Sequence, residues 1–156
     1  MTNYVQSIRN LIGRERLFVP GVRAIIINHR GEILLQRRTD VSLWGLPAGS
    51  VELDETALEA LRREVKEETD LDVITAEPMG LSCGPTQKFS YPNGDEIQCF
   101  ALNFIVRQWS GVPTADGKEG SHLQFFPLSK IPDDLVPIHR ETLRDYAQFN
   151  GTFLAR

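Results

Sequence analysis

Between Gly49 and Leu71 the chain reads GSVELDETALEALRREVKEETDL, with Glu64 standing three and four positions before Glu67 and Glu68. Side chains at that spacing are neighbours on a helix, so the three carboxylates converge within one turn. Carboxylates that close repel one another, and a hard divalent cation is their natural partner. Mg²⁺ takes oxygen ligands, keeps several waters, and is commonly shared between a few carboxylates and a substrate phosphate.

The spacing carries further. Gly49, five residues, Glu55, seven residues, Arg63-Glu64-Val65, one residue, Glu67-Glu68, one residue and Asp70-Leu71 resembles the signature of the Nudix hydrolases, G-x5-E-x7-R-E-U-x-E-E-x-G-U, where U is aliphatic. Asp70 stands where the family has glycine. The resemblance implies an α/β (α+β) fold, the Nudix α/β/α sandwich with a mixed sheet, in which residues 49–71 form a loop-helix-loop unit within a single domain spanning 1–156. It implies Mg²⁺, with Mn²⁺ as a substitute, held by Glu64, Glu67 and Glu68. The backbone carbonyl of Ala48, where a second glycine is more usual, is a further ligand in this reading. Arg63 and Glu55 become a structural pair holding the loop to the helix, a role that suits the fixed fork of a guanidinium.

The chemistry so implied is hydrolysis of the pyrophosphate bond of a nucleoside diphosphate linked to another moiety: a nucleoside triphosphate, ADP-ribose or a related nucleotide. The metal would polarise a phosphoryl oxygen and lower the pKa of a bound water. The proton acceptor is Glu67 or Glu68 from the box, or Glu119 in the loop Gly117-Lys118-Glu119-Gly120-Ser121. Two other readings share the resemblance. A catalytically silent nucleotide-sensing module of the same fold usually has eroded glutamates, whereas all three are present here. An isopentenyl diphosphate isomerase would need a cysteine and an acid set for proton transfer at carbon, and neither Cys83 nor Cys99 has a recognisable context for that.

Substrate contacts are less sharply drawn. Glu52 lies inside the box loop, where it can approach metal or substrate. Arg23, Arg37 and Arg38 face either phosphates or solvent. Trp44, Phe89 and Tyr91 offer rings on which a base could stack, or they pack against the core and across a hairpin; Lys88 is equally open.

The elements that must position these groups follow from periodicity. Residues 2–12 form a short amphipathic helix with Val5, Ile8, Leu11 and Ile12 on one side, ended by Gly13. RLFVPGVRAIIIN and ILLQRR form a hairpin about His29-Arg30-Gly31-Glu32, its first strand well buried. Residues 42–51 are a structured loop. Asp54 to about Thr69 is helical, with Leu58, Leu61 and Val65 as the buried stripe and Asp54 or Glu55 favouring its N-terminus. Residues 71–83 read as a strand, Asn93-Gly94 as a hairpin turn leading into the long strand IQCFALNFIVRQW, 121–126 as a strand, and 140–149 as a closing helix.

Composition sets the outer bounds. The 156 residues are 41% hydrophobic with a net charge of −4, which suits one globular domain and argues against general nucleic-acid binding. There is no apolar run long enough to span a membrane, and residues 1–18 lack the apolar stretch of a secretory leader. Cys83 and Cys99 are read as two reduced thiols. The expected setting is the cytoplasm, with a small nucleotide as partner and a homodimer as a plausible assembly.

Overall fold

The computed structural model describes residues 3–156. A first helix, α1 (Tyr4–Ile12), is capped by the Asn3 side chain, which accepts from the Gln6 amide, and it ends at Gly13. The expected start at residue 2 lies outside the described residues. Next come β1 (Leu17–Ile26), β2 (Ile33–Arg38), β3 (Trp44–Gly45) and β4 (Ala48–Ser50), then α2 (Ala57–Thr69) and β5 (Asp72–Ser82). The chain continues through β6 (Lys88–Ser90), β7 (Glu96–Ser110), β8 (Gly120–Phe126), α3 (Pro137–Gln148) and β9 (Leu154–Ala155).

One sheet runs β4-β1-β7-β5-β9, with β6 added to β7, and the other runs β3-β2-β8. The first is mixed: β1 lies parallel to β7, with Ala24 opposite Phe104 and Ile25 opposite Ile105, and β9 parallel to β5, whereas β4 is antiparallel to β1 and β5 to β7. Side chains alternate across a strand, and here both faces are covered. Val22, Ala24, Ile26, Phe104 and Val106 join Ala60, Leu61 and Val65 of α2 in one core. Ile25, Ile105, Leu35 and Leu46 meet Leu143 of α3 in the other. This is the α/β architecture that the resemblance implied, with a mixed sheet and three helices, and the continuous apolar run 24–27 is the mark of a strand buried on both sides.

Three expectations give way. β1 and β2 are not a paired hairpin: the turn forms, with the Asn28 side chain accepting from the amides of Arg30 and Glu32, but only Ile27 and Ile33 bridge. Both edges of β1 are already taken by β4 and β7, so β2 departs to pair with β3 and β8. Leu58 is not part of the buried stripe; it stands 36% exposed in the first turn of α2, and Ala57 takes the place beside the core. The helix is started by neither Asp54 nor Glu55 but by a capping box, in which the Thr56 side chain accepts from the Glu59 amide and Glu59 reaches back to the Thr56 amide. That Thr-x-x-Glu pattern is itself a sequence signature. The loop 42–51 holds the two short strands β3 and β4. Cys83 and Cys99 are both free, and no helix is long and apolar enough to cross a membrane among the described residues.

Asp70 ends α2 in the left-handed conformation, φ 59° and ψ 16°, its amide bonded to the Lys66 carbonyl. A side chain there costs about 1–2 kcal/mol, while glycine adds roughly 0.5–1 kcal/mol of unfolded-state entropy to be lost. The Lys66–Asp70 ion pair is solvent-exposed and contributes little. Asp70→Gly is therefore expected to leave thermal stability equal or raised by a few degrees with turnover intact, as calorimetry and a rate assay would show. A large loss of turnover would give Asp70 an active role.

Candidate active site

The box helix is tied to its loop through one guanidinium. Arg63 donates from Nε and Nη2 to the two oxygens of Glu55 at 2.7 and 2.9 Å, and from Nη2 to the Ser50 carbonyl at 2.9 Å. Its third nitrogen, Nη1, donates to Glu64 Oε1 at 2.6 Å and stands 3.5 Å from Glu67 Oε2. Arg63 thus touches the acid face of the helix while holding Glu55. Glu55 also accepts from the Glu52 amide, so the loop and the first turn of the helix move as one piece.

Above this anchor, oxygens of Glu64, Glu68 and Glu119 lie within 4.8 Å of one another. Glu64 and Glu68, four residues apart on α2, are buried, and Glu119 arrives from the loop before β8. Glu67 lines the same cleft with its side chain 55% exposed, outside the tight triplet. Burial pushes the Glu64 carboxyl up to about 7, against the opposing pull of Arg63. Burial raises Glu68 well above the usual range, although Gln36 and the Ala48 amide both stabilise its charge. Two buried acids raised in this way, with a third facing them, are a site short of positive charge.

The donor set fits a hard divalent cation: three carboxylates and no sulfur or imidazole. The surroundings are shaped for it. A β-carbon on Gly49 would lie 2.0–2.4 Å from the Glu64 carboxylate, so glycine is required for that carboxylate to sit against β4. The neighbouring Ala48 has ordinary extended backbone in β4 and accommodates its methyl. Its amide donates to Glu68 Oε2 at 3.0 Å. Gln36, buried beside the triplet, keeps its Oε1 without a hydrogen-bond partner.

The triplet stands in a cleft of about 600 Å³, a size ordinary for a small-molecule site. Of the proposed substrate contacts, Arg38 and Tyr91 line it together. The Arg38 guanidinium is gripped by both oxygens of Asp40 and lies 5.9 Å over the Tyr91 ring, which is edge-on to Phe89 at 5.0 Å. Glu52 also lines the cleft, but its Oε2 accepts from the Tyr4 amide at 2.9 Å, so it caps the positive end of α1. Arg37 and Trp44 lie elsewhere: Arg37 pairs with Asp134, and Trp44 packs edge-on against Phe126 at 5.0 Å in the second core.

At the cleft floor Arg23, expected to face phosphates or solvent, is instead buried against protein acceptors, and beside it lies His139, which the sequence did not single out. Arg23 is 2% exposed and donates to Thr142 Oγ1, the Ile138 carbonyl and Gln87 Oε1. His139 Nδ1 accepts from the Leu46 amide at 3.0 Å; burial and the charges of Arg23 and Arg38 hold the ring well below its ordinary pKa, hence neutral.

Residues 17–146 match the NUDIX domain. The chain belongs to the Nudix family. It is 32% identical over 130 residues to a Bacillus subtilis protein provisionally named an 8-oxo-dGTP diphosphatase, covering 83% of this chain and 80% of that one. It is likewise 32% identical over 129 residues to the ADP-ribose pyrophosphatase of Methanocaldococcus jannaschii, covering 81% and 72%. The crystal structure of a MutT Nudix hydrolase from Burkholderia pseudomallei superposes with a TM-score of 0.71 at 25% identity, over 83% of this chain and 98% of that one. The protein is a Nudix pyrophosphohydrolase, and helix α1 lies before the matched region.

The raised Glu64 fixes a pH dependence. A carboxyl whose folded pKa, about 7, exceeds its ordinary value of 4.5 stabilises the metal-free fold fully below the lower value. That contribution is lost as the pH rises through the higher one. In chelator, Glu64→Gln is expected to reduce the loss of thermal stability between about pH 4.5 and 7. An unchanged profile would overturn the burial argument.

Proposed function

We propose that this Nudix protein uses Mg²⁺, or Mn²⁺ in its place, to hydrolyse the pyrophosphate bond of a nucleoside diphosphate linked to another moiety. The observation that carries this reading is the convergence of Glu64, Glu68 and Glu119 at one end of a nucleotide-sized cleft. The names of the two relatives, one for a deoxynucleoside triphosphate and one for ADP-ribose, mark the two forms of substrate to test first.

In this reading Glu64, Glu68 and Glu119 hold the ion, with Ala48 lending its backbone beside Glu68. When bound there, the cation polarises the phosphoryl oxygen and offsets the charge that builds on the leaving phosphate. Glu67 is the carboxylate left outside the triplet and open to the cleft, and it takes the proton of the attacking water. Arg63 holds Glu64 by a hydrogen bond and stands beside Glu67, with Glu55 fixing the guanidinium. Arg38 and Tyr91, stacked on one another, form the wall against which the nucleotide lies, the ring for a base and the cation for a phosphate.

A panel of nucleoside triphosphates and ADP-ribose, assayed with Mg²⁺ and Mn²⁺ and with products identified, is expected to give a nucleoside monophosphate from the favoured substrate. Glu67→Gln should lower kcat by about a hundredfold or more yet keep the rise in melting temperature that Mg²⁺ produces. Glu68→Gln should lose both. Nucleotide binding without Mg²⁺ and no hydrolysis with it would instead make the chain a sensor; near-normal turnover in both variants would sink the assignment of the metal site.

A further inference from the structure

Glu119 reaches the metal site against repulsion. Its charge raises both Glu64 and Glu68, so the same field pushes Glu119 outward, and it rides on an exposed connection between β7 and β8. Its carboxylate makes no hydrogen bond or ion pair with protein among the described residues. What keeps it inward must act on the backbone.

The backbone is held from two sides. Asp116 Oδ1 accepts from three successive amides, those of Lys118 at 2.9 Å, Glu119 at 3.0 Å and Gly120 at 3.0 Å. On the opposite side, Thr39 donates from Oγ1 to the Lys118 carbonyl at 2.6 Å and from its amide to the Glu119 carbonyl at 2.9 Å. The Gly117 amide closes the loop on the Gly120 carbonyl at 3.0 Å, with Gly117 at φ 74°. Gly120 is seated against Gln36: a β-carbon there would stand 2.6 Å from Gln36 Oε1, and Gln36 in turn stabilises the charge of Glu68. The loop that carries Glu119 is therefore registered against the same side chain that supports Glu68.

We infer that Asp116 is a positioning residue of the active site, whose single carboxylate oxygen gathers the amides of Lys118, Glu119 and Gly120 and so holds Glu119 in the metal-binding triplet. Three amides on one anionic oxygen make a strong, directional clamp. They hold the Asp116 carboxyl below its ordinary range despite the penalty of partial burial, with Lys118 adding to the effect. Asp116 is neither part of the triplet nor among the residues that line the cleft; it works through Glu119. Thr39 completes the clamp but binds carbonyls, which leaves the amides to Asp116 alone.

The inference rests on the metal-holding role given above to Glu119, and the test separates the two. Asp116→Ala is expected to lower kcat/KM, and to weaken Mg²⁺ binding measured by calorimetry, by about tenfold to a hundredfold, the usual cost of removing a group that orients a ligand. In the metal-free protein, amide exchange at Lys118, Glu119 and Gly120 should quicken by at least tenfold while the melting temperature stays within a few degrees. Asp116→Asn, which keeps an oxygen at the same place, should restore most of the activity and of the protection. In a Glu119→Gln background, Asp116→Ala should cost nothing further, since effects that act through one group are not additive. Full additivity with an effective Glu119, or unaltered exchange in Asp116→Ala, overturns the positioning role alone. A silent Glu119→Gln overturns the role of Glu119 and the inference with it.

Discussion

The Arg63 guanidinium is the contact on which the rest of the site depends. It has five N–H groups in a rigid plane, and the site uses four of them: two for Glu55, one for the Ser50 carbonyl and one for Glu64. Loop, helix start and acid face are thereby referred to one rigid object. A lysine could neutralise the same charge, but its single nitrogen could not hold a carboxylate bidentately and a carbonyl and a second carboxylate at once. Both Arg63 and Glu55 are largely shielded from solvent. Removing either partner would strand the other's charge, which costs more than the pair itself contributes.

That hub works only because backbone approaches backbone closely beneath it. β4 is wedged between β1 and α2. A β-carbon on Gly21 would lie 3.0 Å from the Gly49 carbonyl, and one on Gly49 would collide with the Glu64 carboxylate. Two small residues on adjacent strands thus bring α2 low enough for its glutamates to reach the cleft. The apolar stripe Ala60, Leu61 and Val65 supplies the force that keeps it there, through burial against Val22, Ala24 and Ile26.

Much of this was readable in the residues, and the reasons for the remainder are physical. Local rules carry the helices, the Asn93-Gly94 turn and the two-sided burial of β1, because periodicity and turn chemistry act over a few residues. The parting of β1 from β2 depends on which strands compete for the edges of β1, and the β7 residues that pair with it lie eighty positions away. Helical spacing places Glu64, Glu67 and Glu68 on one side, but it does not say how deep each one goes. Depth is set by how α2 packs against β1 and β4, and it leaves Glu67 half exposed while Glu119 enters from another element. Arg23 and Gln36 sit inside apolar strands, where the residue type does not say whether a polar side chain turns outward or is buried beside the cleft, as both are. Trp44 and Arg37 show the converse: a loop aromatic and a strand-end cation, both plausible for a ligand, are used to close the second core.

Arg23 also shows how the cleft keeps two opposite fields apart. A buried cation ordinarily demands a carboxylate against it, yet every hydrogen bond of Arg23 goes to a neutral acceptor. Its compensation is indirect: Gln87 accepts from Arg23 at 2.7 Å through its oxygen and donates to Glu141 at 3.0 Å through its nitrogen. The amide relays part of the countercharge while keeping the carboxylate out of contact. A direct ion pair would have cancelled the field of Arg23 at close range; through the relay, more of it persists at the floor. The adjacent imidazole is kept neutral by the same charge and by burial, so no second cation forms beside it. A cation at the floor and the acids of the triplet thus share one cavity, with no direct ion pair between them among the described residues.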